Sequence, residues 1–175
     1  LGFGPVIALN EEQVPAGGGY ASHFHADVEI VTWVLEGALA HQDTTGARGV
    51  VEPGNLQWLT AGDGVQHAEH NASSTEPLRF LQLMLRSDHA GEPIYANHLA
   101  AGPTTCVVAD HTPATVVVTT ASTQIDGPAL VHATHGTITV AGVELEPGDE
   151  ARLPARGPYD VTAPGQSGAL IVQVR

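Results

Sequence analysis

The chain has 175 residues, 42% of them hydrophobic, enough at this length to bury roughly 70% of the unfolded chain's surface in a core. That excludes a stapled mini-protein and a disordered tail. The formal charge is −13, with six Arg and no Lys against 19 acidic residues, which argues against direct binding of phosphate backbones. The acidity speaks to solubility rather than to fold. No apolar run reaches the eighteen or so residues that would span a membrane as a helix, and no charged-then-apolar leader opens the chain. Leu1 in place of Met is what a segment numbered from inside a longer product would show.

Twenty Gly, twelve Pro and abundant Val and Thr disfavour helices and suit pleated strands, so an all-β fold is expected. Strand-like runs follow in chain order at 6–14, 20–25, 29–36, 38–43, 55–61, 65–71 and 78–86. Between them lie Gly17-Gly18-Gly19, Thr45-Gly46, Pro53-Gly54 and Gly62-Asp63-Gly64. Short strands at such spacing predict a sandwich or barrel. The run Ile30 to Leu35 is apolar on both faces, as in a strand covered on both sides. Trp33 and Trp58 read as core.

The second half repeats the first. GVVEPGNLQWLTA at 49–61 returns as GVELEPGDEARLPA at 142–155, and Leu35-Glu36-Gly37 has a counterpart in Thr134-His135-Gly136. Two similar β units are therefore expected: 1–88, a connecting segment 89–105, and 106–175. The lone Cys106 permits no intrachain disulfide, opens an apolar run, and fits a reducing compartment such as the cytoplasm.

Ten His make any single His-x-His weak, because about half of one is expected by chance in such a chain. The wider pattern says more. Residues two apart on a strand share a face, so His23 pairs with His25, and His67 with Glu69. Imidazoles and a carboxylate inside an apolar barrel are costly unless paired. One divalent transition metal held by His23, His25, His67 and Glu69 resolves that cost, and iron, nickel, manganese and zinc all suit such ligands. Glu29 has the parity of His23 and His25. It is read as support for an imidazole, with a ligand role as the alternative. His41, His70, His89, His98, His111, His132 and His135 are expected to be solvated or satisfied by backbone. Aligning the halves places Ser122 and Gln124 opposite His23 and His25, Pro128 opposite Glu29, and Val161 and Ala163 opposite His67 and Glu69. One metal site, in the N-terminal unit, is the expectation.

Gly17, five residues, His23-Phe24-His25 and then Glu29 resemble the first motif of the cupin superfamily. More narrowly, HFHADVEIVTWVLEGALAHQD at 23–43, GARGVVEPGNLQWLTAGDGVQHAEHN at 46–71 and PLRFLQLML at 77–85 resemble the pirin family. The resemblance implies a bicupin, two double-stranded β-helix (jelly-roll) barrels packed face to face, with the C-terminal barrel metal-free. It implies an iron-type metal on His23, His25, His67 and Glu69, and flavonol (quercetin 2,3-) dioxygenase activity on a small aromatic substrate. Glu69 or Glu29 is expected to accept the substrate's hydroxyl proton where the apolar barrel raises its pKa. The alternative implied is a redox-sensitive binding module that regulates a partner protein, a transcription regulator or metabolic enzyme. Family members usually begin upstream of the residue matching Leu1 and have a longer segment between barrels. Oligomeric state is not set by these residues.

Overall fold

The structure is a computed structural model that describes residues 2–165 and 167–175. It is all-β: among the described residues there is no helix, and so none long and apolar enough to cross a membrane. The chain divides into two compact units. One holds Gly2 and Val6–Leu99, the other Phe3–Pro5 and Ala100–Arg175.

The first unit is built from two sheets. Strands β1 (Val6–Val14), β8 (Leu78–Arg86), β3 (Val28–Glu36), β6 (Leu56–Thr60) and β9 (Ile94–His98) form one, in that spatial order. Strands β2 (Gly19–His25), β7 (Val65–Asn71), β4 (Leu39–Asp43) and β5 (Arg48–Val51) form the other. Side chains of both sheets meet between them. Val14, Val34, Leu78 and Phe80 pack on Leu39 and Val51 at one end, and Ile30 and Leu59 on Val65 at the other. Burying these alternate apolar positions fixes each strand's register, since a slip of one residue would turn them outward. The segment 89–105, expected to connect, instead contributes β9, which pairs with β6 from Leu56↔His98 to Thr60↔Ile94. Trp33 and Trp58 are buried.

The second unit is one seven-stranded sheet. Its order is β10 (Thr104–Val108), β11 (Ala114–Thr119), β16 (Gly168–Val174), β12 (Thr123–His135), β15 (Glu150–Thr162), β13 (Ile138–Val140) and β14 (Val143–Leu145). Its core includes Ile125, Val131, Ile138, Val161, Ala163 and Ile171. Val161 and Ala163, the counterparts of His67 and Glu69, thus fill an apolar core.

The repeated Glu-Pro-Gly triplet makes the same turn in both units. The Gly54 N–H donates to Val34 O at 2.8 Å and the Gly148 N–H to Ala133 O at 2.9 Å. One residue on, Asn55 N–H reaches Glu52 O and Asp149 N–H reaches Glu146 O. Both glycines hold φ near +90° (84° and 92°), a region that a Cβ disfavours. The units differ at their corners. In the first, β2 ends at His25, Asp27 takes φ 59°, and β3 starts in the other sheet; Gly62 and Gly64 likewise separate β6 from β7. In the second, β12 and β15 each run on for 13 residues where the first unit uses two strands. The first unit's candidate ligands stand beside its corners.

Candidate metal centre

Strand β7 lies between β2 and β4. In the antiparallel register His67 faces His23 on one side and Asp43 on the other, and Glu69 faces Tyr20 and His41. Directly opposite residues share a sheet face, so His23, His25, His67, Glu69, His41 and Asp43 all point one way.

Three imidazoles converge there. The ring centroids of His23 and His67 are 4.4 Å apart, those of His23 and His25 4.8 Å, and those of His25 and His67 5.1 Å. Their nitrogens form one group within 4.8 Å of each other. His23 and His25 are partly exposed, while His67 is buried. His23 Nδ1 lies 2.9 Å from Ala21 O. A carbonyl only accepts, so Nδ1 carries the proton and Nε2 keeps its lone pair. His25 Nε2 and both nitrogens of His67 are buried with no hydrogen-bond partner. Burial pushes the His67 imidazole down to about 3, helped by His23, His41 and His25 and opposed by Asp43. Burial and then His23 lower His25 as well. Neutral, unpartnered nitrogens aimed at one another are what a divalent cation requires of imidazole. The donor set therefore fits a metal.

Glu69 sits deeper. Gln57 Nε2 donates to its Oε1 and Gln82 Nε2 to its Oε2, each at 2.9 Å. Gln82 also reaches Thr32 Oγ1, and Tyr95 OH donates to Gln57 Oε1, both at 3.3 Å. Both glutamines reach across from the opposite sheet.

Glu29 is elsewhere. Its carboxylate accepts from Trp58 Nε1 and Thr60 Oγ1 at 2.6 Å and from Ser87 Oγ at 2.5 Å. It does not orient an imidazole, contrary to the parity reading. The reason is the corner at Asp27: parity holds along one strand, and β3 begins afresh in the other sheet. Thr32, three residues on, faces the glutamines, so Glu29 points to the opposite face of β3.

His41 was expected to be solvated or satisfied by backbone. It is buried instead: Nε2 is 3.1 Å from Asp43 Oδ2, and the ring stacks on Tyr95 at 4.4 Å and 16°. Burial raises Asp43, but hydrogen bonds from Thr45 and His41 outweigh it and hold the carboxyl below its ordinary value. The available signal was His41-x-Asp43, two residues on one face of a strand. His132 is buried too.

Two facing sheets enclosing a histidine group, with the turn repeated in a second β unit, define a cupin. Residues 3–85 match the family model described as Pirin, and over that stretch the chain is similar to the pirin family. The quercetin 2,3-dioxygenase of Escherichia coli (strain K12) is 40% identical over 91 residues, covering 52% of this chain and 39% of that protein. The crystal structure of YhhW from Escherichia coli has a TM-score of 0.88 at 26% identity, covering 99% of this chain and 83% of that one. The same bacterial pirin in complex with nickel(II) gives 0.86 at 26%, with the same coverage. The curated relatives are longer, and the matched stretch spans well under half of each, 39% in the Escherichia coli enzyme.

Proposed function

We propose that this chain is a metal-dependent dioxygenase of the quercetin 2,3-dioxygenase type, acting on a flavonol or similar small aromatic enol. The observation that carries the reading is the group of three imidazoles whose free nitrogens meet on the partly exposed side of the barrel. His23, His25 and His67 would hold the ion, and Glu69, on the same face of β7 as His67 but grouped with His41 and His67, would be the carboxylate that completes the set. Iron is the first candidate, with nickel, manganese and zinc as alternatives. A metal bound there supplies Lewis acidity that favours the deprotonated substrate.

The chain's own residues do the rest. The Ala21 carbonyl fixes the His23 tautomer. Gln57 and Gln82 fix the Glu69 carboxylate while leaving each oxygen a lone pair, so Glu69 is the group that accepts the substrate hydroxyl proton. Glu29, turned to the other face of β3, takes no part. His23 and His25 are partly exposed, so the substrate would approach from their side. The similarity of residues in the first unit to the quercetin 2,3-dioxygenase of Escherichia coli supports the same class.

The test is direct. The metal-stripped chain is reloaded in turn with iron, nickel, manganese and cobalt and mixed with quercetin under air and under argon. Loss of the flavonol absorption band, matched by oxygen uptake and abolished under argon, is expected with at least one ion. No loss with any of the four overturns the reading.

A further inference from the structure

Glu69 groups with His67 and His41 rather than with His23 and His25. The coordinating atoms of His41, His67 and Glu69 form a second set within 4.8 Å of one another. All three residues are buried, at 3%, 1% and 2% exposure. His41 has the arrangement usual for a metal-bound imidazole, one ring nitrogen on a carboxylate and the other free. The Asp43 carboxylate only accepts, so the proton lies on Nε2. Nδ1 then keeps its lone pair, and it is buried with no partner. Leaving such an atom unmet is costly. The stack on Tyr95 limits how the ring can turn. Both nitrogens of His67 are also unpartnered, and β7 is flanked by β2 on one side and β4 on the other. The His41 and His67 centroids are 5.4 Å apart.

We propose that His41, His67 and Glu69 form a second position for a divalent cation, on the β4 side of His67, with Asp43 orienting His41. Two imidazole nitrogens and one carboxylate oxygen suit a borderline ion such as zinc, cobalt(II), nickel(II) or iron(II). Because His67 belongs to both sets, the two positions are alternatives for one ion. The inference extends the three-imidazole reading to the other flank of His67, and each can fail without the other.

Cobalt(II) is titrated into the full chain and followed by visible absorption, and zinc affinity is read by competition with a chromophoric chelator. The proteins are the unaltered chain, H23A/H25A, H23A/H25A/H41A and H23A/H25A/D43N. His23 and His25 are partly exposed, so their removal leaves the core closed, and circular dichroism checks the fold. H23Q/H25Q, which keeps side-chain bulk, replaces the alanine pair if that pair does not fold. H23A/H25A should retain one equivalent of ion. H41A in that background should weaken binding at least 100-fold, and D43N about 10- to 100-fold. The second position is overturned if H23A/H25A binds neither ion, or binds equally well with and without His41. Loss of all binding in H23A/H25A, with one equivalent in the unaltered chain, leaves the three-imidazole reading standing. Binding indifferent to His23 and His25 but lost with His41 overturns that reading instead. An unaltered chain that binds no ion overturns both.

Discussion

The indole nitrogen of Trp58 donates to the Glu29 carboxylate across 2.6 Å, so an acidic side chain that parity assigns to the metal group is held by a tryptophan instead. Hydrogen bonds to a buried charge are worth about 1.5–3 kcal/mol each. Trp58→Phe keeps an aromatic ring and removes the donor. Its urea midpoint should fall by a stability loss in that range, with bound metal unchanged. Lost metal at unaltered stability would return Glu29 to the site.

The depressed His67 imidazole makes the stability of the metal-stripped chain depend on pH. Folded His67 resists protonation, while in the unfolded chain it titrates near its ordinary 6.5. Acid therefore favours the unfolded chain: this contribution is whole above about 6.5 and is lost progressively as pH falls toward about 3. Urea melts at stepped pH in the presence of chelator should show that decline, and His67→Gln should flatten it. A variant with the same slope as the unaltered chain would refute this assignment.

Metal should stabilise the folded state through the first unit alone. His23→Ala is expected to lower the metal retained at sub-saturating concentration and to shrink the rise in Tm there, with one equivalent still bound at saturation. Ser122→Ala, at the corresponding place in the second unit, should leave both unaltered. Elemental analysis beside differential scanning calorimetry reads both quantities.

Gln82 spans the two sheets through Thr32 and Glu69. Gln82→Leu removes one of the two amides that orient Glu69 and leaves a buried carboxylate oxygen short of a donor. Stability should drop by about 1–3 kcal/mol. Metal affinity should fall about tenfold or more, the usual consequence of losing a group that orients a ligand. Competition with a chelator measures the second effect; unchanged affinity would mean that Glu69 needs no such clamp.

The strands of the first unit were largely legible in the sequence because Gly and Pro punctuate them and period-two burial runs between. Runs read at 29–36 and 65–71 stand as Val28–Glu36 and Val65–Asn71. The short β5 and β9 were not, since four or five residues of mixed polarity carry little periodic signal. The histidines on β2 and β7 could be paired because parity within one strand survives folding. The role of His41 could not be seen. It depends on β4 lying beside β7, a pairing between residues some 28 apart that no local pattern encodes. Glu29 misled for the complementary reason: a local count was carried across a break in the strand.

The bend at Ala26 and Asp27 acts as the reading frame of everything downstream in β3. Removing or adding one residue there would exchange the strand's two sides. Glu29, Val31 and Trp33 would turn toward the histidines, and Ile30, Thr32 and Val34 would turn away, taking with them the hydroxyl that steadies Gln82. A change of one amino acid in length, outside any ligand, would thus reverse the wall opposite the imidazoles.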